Sequence, residues 1–213
     1  MNLKFTLFTF IFALVLFNCK QQNTFSDYQY TDKPQVISCE GINAPLYNEA
    51  LYSFEDDILK YYQQKRANNT LAQSYSQFLR EAIYNRIKLE DVVTKHTIDV
   101  FEALKTESDL WDAANTKSHL NYSGKPLTCI ATSLKDENLK TTLNALITTN
   151  SMSPKLFGTP LISKYRNAMS DKYLALYIAL DLYYSNLFEL DLSKINLNKP
   201  EPKVDFNKVP QNP

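Results

Sequence analysis

Only three glycines, Gly41, Gly124 and Gly158, occur in a chain of 213 residues, and this scarcity limits the fold more than any other feature. Tight hairpin turns take glycine wherever φ must be positive. Phosphate-cradling loops need several glycines at fixed spacing. A many-stranded sheet and a glycine-rich nucleotide loop are both excluded by that supply. Alternating apolar and polar runs bounded by turn residues are absent as well. What recurs is the spacing of amphipathic helices.

Tyr47, Leu51, Phe54, Ile58 and then Tyr61 or Tyr62 repeat every three or four residues, giving one apolar stripe on a helix over 44–66. Asn43 stands at its N-cap and Pro45 in its first turn. Thr70-Leu71-Ala72-Gln73 is a capping box that opens a second helix reaching Ile87. The short connection predicts an antiparallel pair. A third helical region covers 89–105, with a break near Thr94–Thr97, where either threonine caps a new start. Residues 106–125 read as irregular. A short helix follows Pro126, and Asp136 caps another, with Leu139, Leu143, Leu146 and Ile147 inward. Pro154, Gly158 and Pro160 make 149–160 a loop, with one short turn at Ser153-Pro154.

The most apolar segment is 173–190, capped by Ser170-Asp171. It has almost no polar face, which marks either a membrane span or the central helix of a bundle. Asp181, Ser185, Asn186 and Glu189 interrupt it and favour the central helix. The expected fold class is all-α: a single-domain bundle of five to seven helices with a hydrophobic central C-terminal helix.

The amino terminus has a different character. Lys4 precedes an apolar run from Phe5 to Phe17, in which only Thr6 and Thr9 are polar. This falls short of the roughly 20 apolar residues a spanning helix needs and matches a secretory leader. The run ends in Leu16-Phe17-Asn18-Cys19. That sequence resembles the lipobox of bacterial lipoprotein precursors, with Leu16 at the apolar position three before the cysteine. Asn18 replaces the commoner small residue, and Phe17 is bulkier than usual; relaxed boxes of this kind are similar to those of the Bacteroidota.

The resemblance implies lipidation of Cys19 and removal of residues 1–18. Two or more acyl chains give stable membrane attachment, at about 0.8 kcal/mol per buried methylene. Residues 20–26 carry no acid, and Asp27 is the first. By the same resemblance this favours the periplasmic face of the outer membrane, with the cell surface as the alternative. The expected organisation is a leader at 1–18, a tether at 19–42, a helical domain at 43–195 and a proline-rich disordered tail at 196–213.

Cys39 and Cys129 remain after Cys19 is assigned to lipid. In an oxidising compartment two cysteines suggest one disulfide. The alternative is two buried thiols acting as small apolar groups.

Chemistry is harder to find. The 23 basic and 23 acidic residues cancel, which excludes an overall cationic field for gripping nucleic acid. The sequence contains no zinc-protease, nucleophile-elbow, Walker or EF-hand motif. No cofactor and no metal is therefore expected, and no catalytic residue is assigned. His96 and His119 are the only histidines.

Asp181 is the best single suspect for chemistry. On a helix it neighbours Tyr177, Ile178, Tyr184 and Ser185. Such surroundings either raise its pKa for acid–base work or hold it in a structural network of hydroxyls. In the acidic run Glu55-Asp56-Asp57, at least two of the three are expected to face water. Trp111 lies in the irregular stretch and either covers a core edge or anchors a partner. The contact candidates for a ligand or partner are thus Trp111, Tyr177 and Asp181.

The expected function is a lipid-anchored envelope lipoprotein whose domain is a non-enzymatic interaction or structural module. Its partners would be the membrane, through the lipid, and another envelope protein. The alternatives are a helical binding protein for a small or apolar ligand, and an enzyme with an unrecognised carboxylate site.

Overall fold

The computed structural model describes residues 25–197. The leader, the Cys19 lipidation site and the tail beyond residue 197 lie outside the described residues. Within them are seven α-helices: α1 (Ala44–Lys65), α2 (Leu71–Ile83), α3 (Lys95–Leu104), α4 (Lys125–Ser133), α5 (Glu137–Thr148), α6 (Pro154–Ser163) and α7 (Lys172–Leu182). No strand or sheet forms among the described residues; one isolated antiparallel bridge joins Trp111 to Leu120. The fold is all-α and single-domain.

α7 is the axis of the bundle. Every residue from Leu174 to Leu182 is buried, and the helix packs against α1, α2 and α4. No described helix is long and apolar enough to cross a membrane. Asp171 starts α7 by accepting a hydrogen bond from the Leu174 amide at 3.2 Å. The expected helix over 173–190 ends at Leu182 and tightens into a 3₁₀ segment, Tyr184–Glu189. Two consecutive tyrosines force the change: Tyr183 and Tyr184 are both fully buried. Their hydroxyls reach different groups on α1, Asp57 and the Ala50 carbonyl.

The caps follow the sequence closely. Thr70 and Gln73 form the reciprocal capping box of α2. Thr94 caps α3, and Asp136 caps α5 through the Asn138 and Leu139 amides. Asn43 stands before α1 but makes no side-chain cap bond; its amide donates to Glu107 instead. α2 stops at Ile83 rather than Ile87, because Asn85 turns to positive φ.

The largest departure is α6, a ten-residue helix where a loop with one short turn was expected. Ser153 caps it and Pro154 occupies its first turn, where the missing N–H loses nothing. Pro160 removes one internal bond. Phe157 and Leu161 are buried, and Phe157 meets Tyr177 edge-on at 5.4 Å between centroids. Gly158 is set by a close contact: a Cβ there would lie 2.7 Å from Ile83 Cδ1, so the Ile83 side chain would have to shift.

Two devices hold the irregular parts. Cys39 and Cys129 form a disulfide, with Cα atoms 6.3 Å apart, linking the segment before α1 to α4. Closing so long a loop stabilises by roughly 4 to 5 kcal/mol in the chain-entropy account. At the start of α4, a Cβ on Gly124 would fall 1.9 Å from the Asp109 carbonyl oxygen. No other residue fits that crossing.

Replacing Gly158 by alanine is expected to destabilise the domain by about 1–3 kcal/mol through overpacking against Ile83. The loss should shrink when Ile83 is also changed to Ala. Denaturant midpoints of the single and double variants check this; strictly additive losses would contradict it.

Candidate functional site

The chemically notable groups are carboxylates buried inside the helical core. Asp181, on α7, is fully buried. One of its oxygens accepts from Ser118 Oγ and from Tyr122 OH at 2.9 Å; the other accepts from Tyr177 OH at 2.6 Å. Tyr177 is one helical turn back, so that bond comes from the helix itself. Ser118 and Tyr122 belong to the connection between α3 and α4. The irregular chain is thereby tied to the centre of the bundle.

Asp57, on α1, is the second centre. Its Oδ2 accepts from Thr97 Oγ1 of α3 and from Tyr183 OH at 2.6 Å. Thr97 Oγ1 also lies 2.8 Å from Ser53 Oγ and 3.0 Å from Thr94 Oγ1. A single carboxylate thus joins α1, α3 and the chain leaving α7.

Burial sets the protonation of both acids. Desolvation raises Asp57 to about 6, against the opposing pull of the Thr97 and Tyr183 hydrogen bonds. Asp181 is raised for the same reason, with Ser118, Tyr177 and Tyr122 opposing. Burial and the adjacent carboxylates push Tyr177 and Tyr183 well above the ordinary phenol range. Those phenols stay protonated and donate.

A third buried acid, Glu49 of α1, holds the chain's front. Its two oxygens accept from the backbone amides of Gln29 at 2.7 Å and Tyr30 at 3.2 Å. His96 Nε2 lies 2.6 Å from Glu49 Oε1, and His96 Nδ1 lies 3.4 Å from Asp27 without hydrogen-bond alignment. The Phe25 and Tyr30 rings flank the imidazole, each with its centroid 6.1 Å away. The two acids address opposite nitrogens, so they do not converge on one point. Among the described residues no group of three or more His, Cys, Asp or Glu side chains is placed to hold a metal.

The candidates picked from sequence separate into two places. Tyr177 and Asp181 are hydrogen-bonded partners. Trp111 belongs to another cluster: its Nε1 donates to the Leu104 carbonyl at 2.8 Å, and its ring meets Phe188 and Phe101 edge-on. It covers the edge of the core where α3 ends. Sequence reasoning missed Glu49 and misplaced Asp57. Glu55 and Asp57 are both buried, and only Asp56, paired with Lys60 at 2.8 Å, remains beside solvent. The expectation that two of these three acids face water is corrected. α1 packs against α2, α3 and α7, so it has more than one buried face, and a single-stripe reading fails there. Ser53, one turn before Asp57 and also buried, was the available signal. Glu55 accepts from Tyr75 OH and Lys172 Nζ, each at 3.0 Å.

No known family, curated protein or solved structure matches this chain.

The Asp57 carboxyl binds its proton more tightly folded, at about 6, than at its ordinary 3.8. Its contribution to stability is therefore greatest below pH 4 and is lost as pH rises to 6, by about 3 kcal/mol. Asp57→Asn, which keeps an acceptor for Tyr183, is expected to remove that decline. Urea midpoints of both proteins from pH 4 to pH 7 test it, and parallel curves would count against it.

For Glu49, replacement by alanine is expected to speed amide exchange at Gln29 and Tyr30 by at least about tenfold, from lost bonds to a charged acceptor. Protection in α7 should persist. Unchanged exchange at the two amides would be the contrary result.

Proposed function

We propose that this chain is a lipid-anchored protein of the bacterial cell envelope, whose helical domain serves as a non-enzymatic interaction or structural module at the membrane. The observation that carries the reading is the use of the three cysteines. Cys39 and Cys129 are joined to each other, which leaves Cys19 as the remaining thiol, at the end of the apolar leader in a lipobox-like setting. A structural disulfide suits an exported domain, since such bonds persist in oxidising compartments.

The Glu49 clamp adds a spatial argument. Phe25 is six residues beyond Cys19, a span of at most roughly 20 Å even when fully extended. Clamping at Gln29 and Tyr30 keeps the domain close to an anchor at Cys19. The absence of acids between Cys19 and Asp27 supports the periplasmic face of the outer membrane as its position.

The buried acids support a non-enzymatic reading. Asp181 is fully buried, and each of its oxygens accepts from protein hydroxyls. A reacting group or ligand would have to displace one of these bonds. Tyr177 is equally buried, which weighs against a small-ligand site at that pair.

In cells given a fatty-acid label, the wild-type chain is expected to carry label at Cys19 and to sediment with membranes. Cys19→Ala should accumulate as an unprocessed, unlabelled precursor. Normal maturation and membrane retention of the Cys19→Ala chain would refute the anchor.

A further inference from the structure

A cleft of about 460 Å³ lies between the last turn of α1, the outer face of α2 and the connection that follows α2. That size is within the range of small-molecule sites. Four cations from three segments line it: Lys65 of α1, Arg80 of α2, and Arg86 and Lys88 of the connection. Glu81 and Asp91 are the acids on its wall. Four positive and two negative groups leave a surplus of two positive charges in a chain whose formal charge is zero.

In this cleft unpaired cations converge with cations that are held in place. Several lysines elsewhere are neutralised within the fold, as in Lys95–Asp99, Lys105–Glu102 and Lys172–Glu55. In the cleft, the Arg80 and Lys88 side chains make no hydrogen bond or ion pair among the described residues. Their two neighbours are held in place. Arg86 Nη2 donates to the Arg80 carbonyl at 3.2 Å, and the guanidinium sits 5.3 Å from the Tyr84 ring centroid. Lys65 Nζ donates to Tyr61 OH at 3.0 Å and lies 4.2 Å from that ring's centroid. The Tyr61 bond raises the lysine pKa and keeps it charged. Glu81 is engaged by Tyr62 OH at 2.9 Å.

We propose that this cleft binds a phosphate monoester carried on a small organic body. The charge surplus matches the roughly −1.5 to −2 of such a group at pH 7. Two of the chain's four arginines stand here, and the guanidinium fork suits phosphate oxygens better than an ammonium does. The volume exceeds what one phosphate fills and leaves room for the body it is attached to, against the Tyr61 ring and the Gln77 amide. A soluble phosphate ester and the headgroup of a phosphatidic acid share this chemistry. The inference does not depend on the anchor at Cys19.

The test follows the arginine side-chain Nε signals of the full chain with phosphatidylcholine nanodiscs. Added glycerol 3-phosphate should shift Arg80 and Arg86 saturably, while Arg66 and Arg166 stay still; glycerol should shift none. Arg80→Gln combined with Lys88→Gln, which breaks no described contact, should weaken the binding at least about tenfold, a loss of 1.4 kcal/mol or more. Phosphatidic acid placed in the nanodiscs identifies a headgroup ligand if it produces the same Arg80 and Arg86 shifts. It identifies a soluble ester if only glycerol 3-phosphate does. Equal shifts at all four arginines, no saturable shift, or unchanged affinity in the doubly substituted chain would overturn the proposal.

Discussion

A carboxylate taken out of water must find donors inside the protein, and this requirement organises the fold. An ion buried without partners costs several kcal/mol. Asp57 and Asp181 offset part of that penalty by accepting hydroxyl hydrogen bonds from segments far away in sequence: Tyr183 lies 126 residues from Asp57 and Ser118 lies 63 from Asp181. Each acid becomes a junction that can be satisfied in one arrangement only. Apolar contacts alone would let α7 slide among neighbours of similar shape. The hydroxyls fix which side chains face it.

Tyrosine suits this arrangement because it has an apolar body and one polar tip. Tyr75, Tyr177, Tyr183 and Tyr184 are completely buried, yet each hydroxyl reaches a carboxylate or carbonyl. The Tyr75, Tyr183 and Tyr177 rings also meet Phe54, Phe78 and Phe157 edge-on, and the Tyr184 ring stacks on Phe101. One group thus contributes both to the aromatic core and to the polar junctions. The Tyr47 hydroxyl is the exception: it is buried without a hydrogen-bond partner.

Local signals in the sequence translated well into structure. The capping box at Thr70, the caps at Thr94, Asp136 and Asp171, and the apolar spacing of α2 depend on residues within a turn or two of each other. The all-α class and the central position of α7 follow from such spacing and from the near-absence of glycine. What was not legible depended on distant partners. α6 forms despite Gly158 and Pro160 because Ile83 occupies the space a Cβ would fill and Phe157 packs on Tyr177. The 3₁₀ turn after α7 exists because two adjacent tyrosines seek different acceptors on α1. Asp181 could be singled out from its helical neighbours, but its partners Ser118 and Tyr122 lie in a stretch without periodicity. Glu49 gave no local sign of its hold on residues 29 and 30.

The junctions imply a cooperative unit that includes the irregular chain between α3 and α4. Its backbone bonds, from Asp112 N to His119 O and from Asn121 N to Leu110 O, sit beside a loop that Asp181 grips through Ser118 and Tyr122. Native-state hydrogen exchange across a denaturant series tests this most directly. The account predicts that the Asp112 and Asn121 amides exchange only with the global unfolding that also exposes the α7 amides, with the same free energy and denaturant slope. Exchange of the loop through a separate, low-energy opening while α7 stays protected would contradict it.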